Sequence, residues 1–175
     1  MRSMVLDIET TGTPFDALDA DTQAYLLKRA DTPEKITEVK ERLNTFPLTG
    51  EIVAIGILDA DADQGAMYFQ APGRQIAPFT EEGVEFVMGT ERECLERFWA
   101  TCARTDRIIT FNGRGFDAPW LMLRSLVHGV RCPKNLMPNR FGTDQHLDLM
   151  DQLSFYGATR NYSLDFWCKT LGFAS

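Results

Sequence analysis

Histidine and cysteine are scarce, with two of one and four of the other in 175 residues, and no two cysteines are spaced as Cys-x-x-Cys. Zinc sites and disulfide frameworks need such residues at set spacings, so Cys94, Cys102, Cys132 and Cys168 read as reduced thiols. No apolar run approaches the roughly 20 residues that span a bilayer, and no membrane association is expected. Met1-Arg2-Ser3 leads straight into an apolar stretch and leaves no room for a signal peptide, so a cytoplasmic protein is expected. Repeats and low-complexity tracts are absent, and no protein-partner surface stands out. Positive charge is not in excess either: the net charge is −7, which argues against tight nonspecific binding to duplex nucleic acid. What is present, 44% hydrophobic and 25% charged residues, suffices for a single domain over 1–175 with its own core.

Asp7 and Glu9 end the apolar run Met4-Val5-Leu6, and in a strand positions i and i+2 share a face. Two carboxylates held side by side repel, so each is driven toward protonation unless a cation lies between them. Hard oxygen donors of this kind suit Mg2+ or Mn2+. A solvated strand rim would have the same local pattern. A second acidic position, Asp117, closes Phe111-Asn112-Gly113-Arg114-Gly115-Phe116-Asp117, between the β-rich Arg107–Thr110 and a helical stretch from Pro119 to His128. Gly113 and Gly115 permit a sharp strand-to-helix turn. Asp117 is either a ligand or the helix N-cap, with Pro119 in the first turn.

Asp7-x-Glu9-Thr10 after the first strand, then Asn112-x-x-x-Phe116-Asp117 after a later one, resembles the first two motifs of the DEDD 3'→5' exonucleases. More narrowly, the chain resembles the exonucleases related to the proofreading domain of family B DNA polymerases. The resemblance implies an α/β, ribonuclease H-like fold: a mixed β-sheet with helices on its faces. It implies two bound ions, Mg2+ or Mn2+, and release of nucleoside 5'-monophosphates from the 3' end of single-stranded DNA, with RNA the lesser alternative. Asp7 would bridge the ions, Glu9 would serve the one beside the attacking water, and Asp117 the one beside the leaving oxygen. Thr10, Asn112, Arg114 and Phe116 would lie near the terminal nucleotide, with Phe116 or Trp120 stacking on a base.

The family pattern asks for a fourth carboxylate, on a helix after a Ser-Leu-Asp segment. Ser163-Leu164-Asp165 resembles that segment, so the last helix would lie beyond Ser175, and the chain is expected to be C-terminally truncated. Upstream, His146 to Asp151 matches His-x-x-x-x-Asp and makes Asp148 and Asp151 lesser candidates, though in the wrong order along the chain. Their pattern reads equally as a strand running into a capped helix. Two alternatives follow: a catalytically impaired nucleic-acid-binding module of the same fold, and a haloacid-dehalogenase-type phosphatase. The second fits poorly, because the longer Glu9 arm would misplace a general acid.

Residues 1–103 carry 9 basic and 19 acidic side chains, whereas 104–175 carry 9 and 6. The basic half follows the second motif, which suits contacts to a strand's phosphates. Elsewhere, 16–45 reads as a helical insertion, with Thr32-Pro33-Glu34 opening a helix and Glu38 and Arg42 paired on it. Ile52–Leu58 and Met67–Phe69 read as a hairpin around an acidic turn, and a further strand covers Glu85–Met88. Thr90 and Glu93 form a capping box ahead of a core stripe of Leu95, Phe98, Trp99 and Cys102.

Overall fold

Alternating inward and outward side chains over Ser3–Gly12 build the first strand, β1. The computed structural model describes residues 1–173. The chain leaves β1 through a short 3-10 turn into α1 (Ala20–Leu27) and α2 (Pro33–Glu41), capped by the Asp19 and Thr32 side chains. Neither helix buries a residue, and the expected Glu38–Arg42 pair stands 3.1 Å apart on the surface. The two helices thus form a hairpin outside the core, while Leu43 on the return is buried. The return is fastened by the Thr10 hydroxyl, which donates to Asn44 O at 2.9 Å, and by Thr49, which donates to Leu43 O at 2.9 Å.

After it come β2 (Gly50–Asp59), β3 (Gly65–Phe69), β4 (Phe79–Glu81), β5 (Val84–Met88), α3 (Glu91–Cys102), β6 (Arg107–Thr110), α4 (Asp117–Val127), β7 (His146–Asp148), α5 (Leu149–Leu153) and α6 (Leu164–Leu171). One mixed sheet has the order β4-β5-β3-β2-β1-β6-β7. β1 runs antiparallel to β2 and parallel to β6, and β6 runs parallel to β7. Sequence reading misses β4. It pairs with β5 across Glu82 and Gly83, whose φ values of 48° and 81° form the left-handed two-residue turn a hairpin needs.

Met4, Leu6 and Ile8 face α3 and α4 together with Ile52, Ile55 and Ile57, forming the core with Leu95, Phe98, Trp99 and Cys102. The capping box of α3 is formed, with Thr90 and Glu93 exchanging side-chain-to-backbone bonds. Beneath it lies a cluster with no signal in the sequence. Glu91, 4% exposed, accepts from Ile52 N–H, from two Arg124 nitrogens and from His128, and Arg124 also donates to Pro47 O. Burial alone would raise the Glu91 carboxyl, but these donors hold it below its ordinary value. The cluster joins α3, α4 and the start of β2. Among the described residues no helix is long and apolar enough to cross a membrane.

Candidate active site

The alternation of β1 decides where its carboxylates point. Leu6 and Ile8 turn inward, 2% and 5% exposed, so Asp7 and Glu9 face away from α3 and α4. Opposite them on β2 stand Gly56 and Ala54, which leave open ground beside the acids. The result is a groove of about 320 Å³ floored by Val5, Met67 and Val84 as well. A bulge between Glu9 and Thr10 re-registers the strand against Ile52. Thr10 lies beside this pair, but its hydroxyl is committed to the insertion.

The 111–117 turn supplies the third acid. Asn112 adopts a left-handed φ of 64°. A methyl on Gly113 would collide with the Thr110 side chain, and one on Gly115 would stand 2.6 Å from Asn112 Oδ1, so both glycines are required by close approach. Asp117 is not the N-cap of α4. Phe116 occupies that position without a side-chain cap, and Asp117 lies within the first turn at 3% exposure. Its Oδ1 instead accepts Ile8 N–H at 3.1 Å, between Asp7 and Glu9 in the chain. This bond draws α4 against β1 and brings residues 109 apart to one place.

Burial, then the Asp7 charge, push the Asp117 carboxyl up to about 7, with Asp148 adding a smaller push. Asp7 is raised too, by partial burial first and by Glu9 second. The acids therefore form a chain of mutual repulsion, Glu9 on Asp7 and Asp7 on Asp117.

Asp148 and Asp151 both have protein partners. Asp148 caps α5 through Met150 N–H at 3.0 Å and accepts from Asn112 N–H and Arg114 N–H, each at 2.9 Å. Three backbone donors make it the clamp of the turn that carries Asp117. Asp151 is held by Arg140 at 2.6 and 3.1 Å. His146, 1% exposed, donates from Nδ1 to Leu136 O at 2.8 Å and accepts from Thr110 at Nε2, and burial lowers its pKa. It is a neutral core residue.

Other expected substrate contacts differ in accessibility. The Arg114 guanidinium donates to Pro138 O and Asn139 O, so its charge tethers a loop. Phe116 is half-buried and packs on Trp120 at 5.7 Å. Trp120 is 1% exposed, which removes it as a stacking platform. Arg107 binds Ser3, Lys134 binds Thr105 O and Arg124 binds Glu91, so much of the basic half is committed internally.

Among the described residues no three His, Cys, Asp or Glu side chains converge as the ligands of one ion would. The donor chemistry still fits a hard divalent cation, because Asp7, Glu9 and Asp117 offer carboxylate oxygens along β1, and two of them are held above their ordinary pKa by burial first and a neighbouring carboxylate second.

Residues 51–174 match a protein family described as predicted 3'-5' exonucleases related to the exonuclease domain of PolB. That stretch includes Asp117 but not Asp7 and Glu9. No curated protein matches the chain. In three dimensions the chain is similar to a family B DNA polymerase from the hyperthermophilic archaeon Pyrobaculum calidifontis, with a TM-score of 0.57 at 17% sequence identity. The similarity covers 98% of this chain and 18% of the polymerase. It establishes the expected α/β, ribonuclease H-like fold.

Proposed function

The chain belongs to the predicted 3'-5' exonucleases related to the exonuclease domain of PolB, and from that membership we propose that it removes nucleoside 5'-monophosphates from the 3' end of single-stranded DNA, assisted by Mg2+ or Mn2+. Membership in this family displaces the phosphatase alternative. The observation that carries the proposal is the Asp117 carboxylate seated on Ile8 N–H, which ties the acid of the 111–117 turn to the β1 segment whose Asp7 and Glu9 line an open groove.

Asp7, Glu9 and Asp117 are the residues that would hold the ions. When bound, such ions ease deprotonation of a water and stabilise charge on a leaving oxygen. Glu9, exposed at the groove, orients the attacking water and accepts its hydrogen bond. Water oxygen adds to phosphorus as the P–O3' bond breaks, the proton lost by the water is balanced by one gained at O3', and the shortened strand leaves with a 3'-hydroxyl. Asn112 faces the terminal nucleotide, with Thr10 and Phe116 as the flanking contacts. Asp148 is a positioning residue, fixing the turn from which Asp117 projects.

A binding module without turnover is the second reading, favoured by the lack of a three-ligand cluster among the described residues. A 5'-labelled oligonucleotide incubated with the protein in Mn2+, beside Asp7→Ala and a chelator control, separates the two. A shortening ladder abolished by both controls supports the exonuclease. Retention of the oligonucleotide without a ladder supports the binding module.

A further inference from the structure

One helix is apolar on both sides. α4 turns Ala118, Trp120, Leu121 and Ser125 inward, where they are buried, yet Leu123, Leu126 and Val127 are exposed, Leu126 at 74%. A helix that is hydrophobic all round belongs in an interior. We propose that this outer face of α4 is a docking surface for a second copy of the chain, paired about a two-fold axis. Sequence reading finds no partner surface, because Leu123, Leu126 and Val127 look like core residues until α4 is seen to bury its other side.

The surface extends beyond the helix. Arg124 Nη1 donates to Pro47 O at 3.1 Å, which seats the 46–48 segment against α4. Phe46 and Leu48, the second 70% exposed, thereby flank Val127, which stands one turn on from Arg124. Glu91 holds Arg124 from below at 2.6 and 2.8 Å, so the segment rests on a fixed base. Single apolar residues are ordinary on a surface, whereas a contiguous group of them marks a contact site.

Charge selects the occupant. Asp117 and Arg124 are the only ionisable side chains of α4. Asp117 is buried on Ile8 N–H, and Arg124 is committed to Glu91 and Pro47. At the edge of the patch Arg42 lies over the Phe46 ring and is neutralised by Glu38. A protein of net charge −7 repels its own copies over most of its surface, and an uncharged apolar face is where two copies touch with least repulsion and no charge to desolvate. Such a face gives a different protein no charge by which to be oriented, whereas a copy brings the matching ridge.

That ridge reads the same in both directions. Pro119, Met122, Leu123 and Leu126 are spaced three, one and three along the chain, so an antiparallel copy sets Leu126 against Pro119 and Met122 against Leu123. At about 1.5 Å per residue α4 offers a ridge of about 16 Å. This is a small interface, and the pair exchanges with monomer in the micromolar range. Asp7 and Glu9 face away from α4, so pairing leaves their groove open.

Sedimentation equilibrium of the full chain across the micromolar range tests the pair, with wild type expected as a monomer–dimer equilibrium. Leu126→Glu weakens dimerisation by about a hundredfold, since the change enters the contact twice at roughly tenfold per copy. Leu48→Ser acts in the same direction. Leu171→Glu, at an exposed apolar position on α6, is the control and leaves the equilibrium unchanged. Thermal melts report whether each variant folds, and Leu48→Ser carries the test where Leu126→Glu does not. A wild type that stays monomeric overturns the pair and leaves the face to a different protein. A dimer indifferent to both substitutions on this face, or broken by Leu171→Glu, overturns the site. Assembly that grows past two copies overturns the two-fold closure.

Discussion

Replacing Asp117 by Asn should stabilise the metal-free protein while removing its cleavage. The folded structure raises this carboxyl from 3.8 to about 7, by burial first and the Asp7 charge second. A group whose folded pKa lies above its unfolded one supports the fold fully below the unfolded value and loses that support as pH rises through the folded value. At about 1.4 kcal/mol per unit, the ionised Asp117 costs the apo fold about 4 kcal/mol at pH 8, and 2 to 3 of these arise above pH 5. Asn keeps an oxygen for Ile8 N–H and carries no charge, so Asp117→Asn removes the penalty. Urea denaturation in chelator at pH 5 and pH 8 measures it. Wild type should be more stable at pH 5 than at pH 8, the variant's advantage should be greatest at pH 8, and Mn2+ should stabilise wild type but not the variant. Asp7 shifts in the same direction and adds to the wild-type slope. Staying at or above pH 5 keeps Glu91 and the other carboxylates of lowered pKa from titrating. A variant no more stable than wild type at pH 8 in chelator would mean that burial and Asp7 do not hold the Asp117 carboxyl up.

Asp148→Ala strips the acceptor from three backbone donors and should cost about 3 kcal/mol, seen as a lowered melting temperature together with lost cleavage, because the Asp117 turn loosens. Glu91→Ala leaves Arg124 and Ile52 N–H unpaired beneath α3 and should cost about 3 to 5 kcal/mol in chemical denaturation, with no direct effect on metal binding. Gly113→Ala drives a methyl into the Thr110 side chain. It should destabilise by about 1 to 3 kcal/mol and lower kcat more than it raises KM, measured by oligonucleotide trimming.

Much of the scaffold was legible in the sequence because it follows from local rules. The period-2 alternation of β1 placed Asp7 and Glu9 on one face, the Thr90–Glu93 box began α3, and the Asp148 pattern marked a strand ending in a capped helix. The β4 strand was hidden because three exposed residues carry no inward periodicity, and only Glu82-Gly83 marks its turn. Asp117 read as either a ligand or an N-cap, because a cap and a carboxylate that bonds a distant strand demand the same residue type at the same place.

The sequence by itself determined the family, the fold class and the acidic positions, since motif order, hydrophobic period and capping are written in neighbouring residues. What each acid touches depends on how the elements pack. Whether a carboxylate is held open in a groove, as at Glu9, drawn onto a distant N–H, as at Asp117, or filled by three backbone donors, as at Asp148, depends on which strands become neighbours. It also depends on how much water the packing leaves between them. Hydrogen bonding and repulsion act through space over a few ångströms, and the β1–β6–β7 order, together with the Ile8 N–H bond that draws α4 onto β1, sets which of those residues meet.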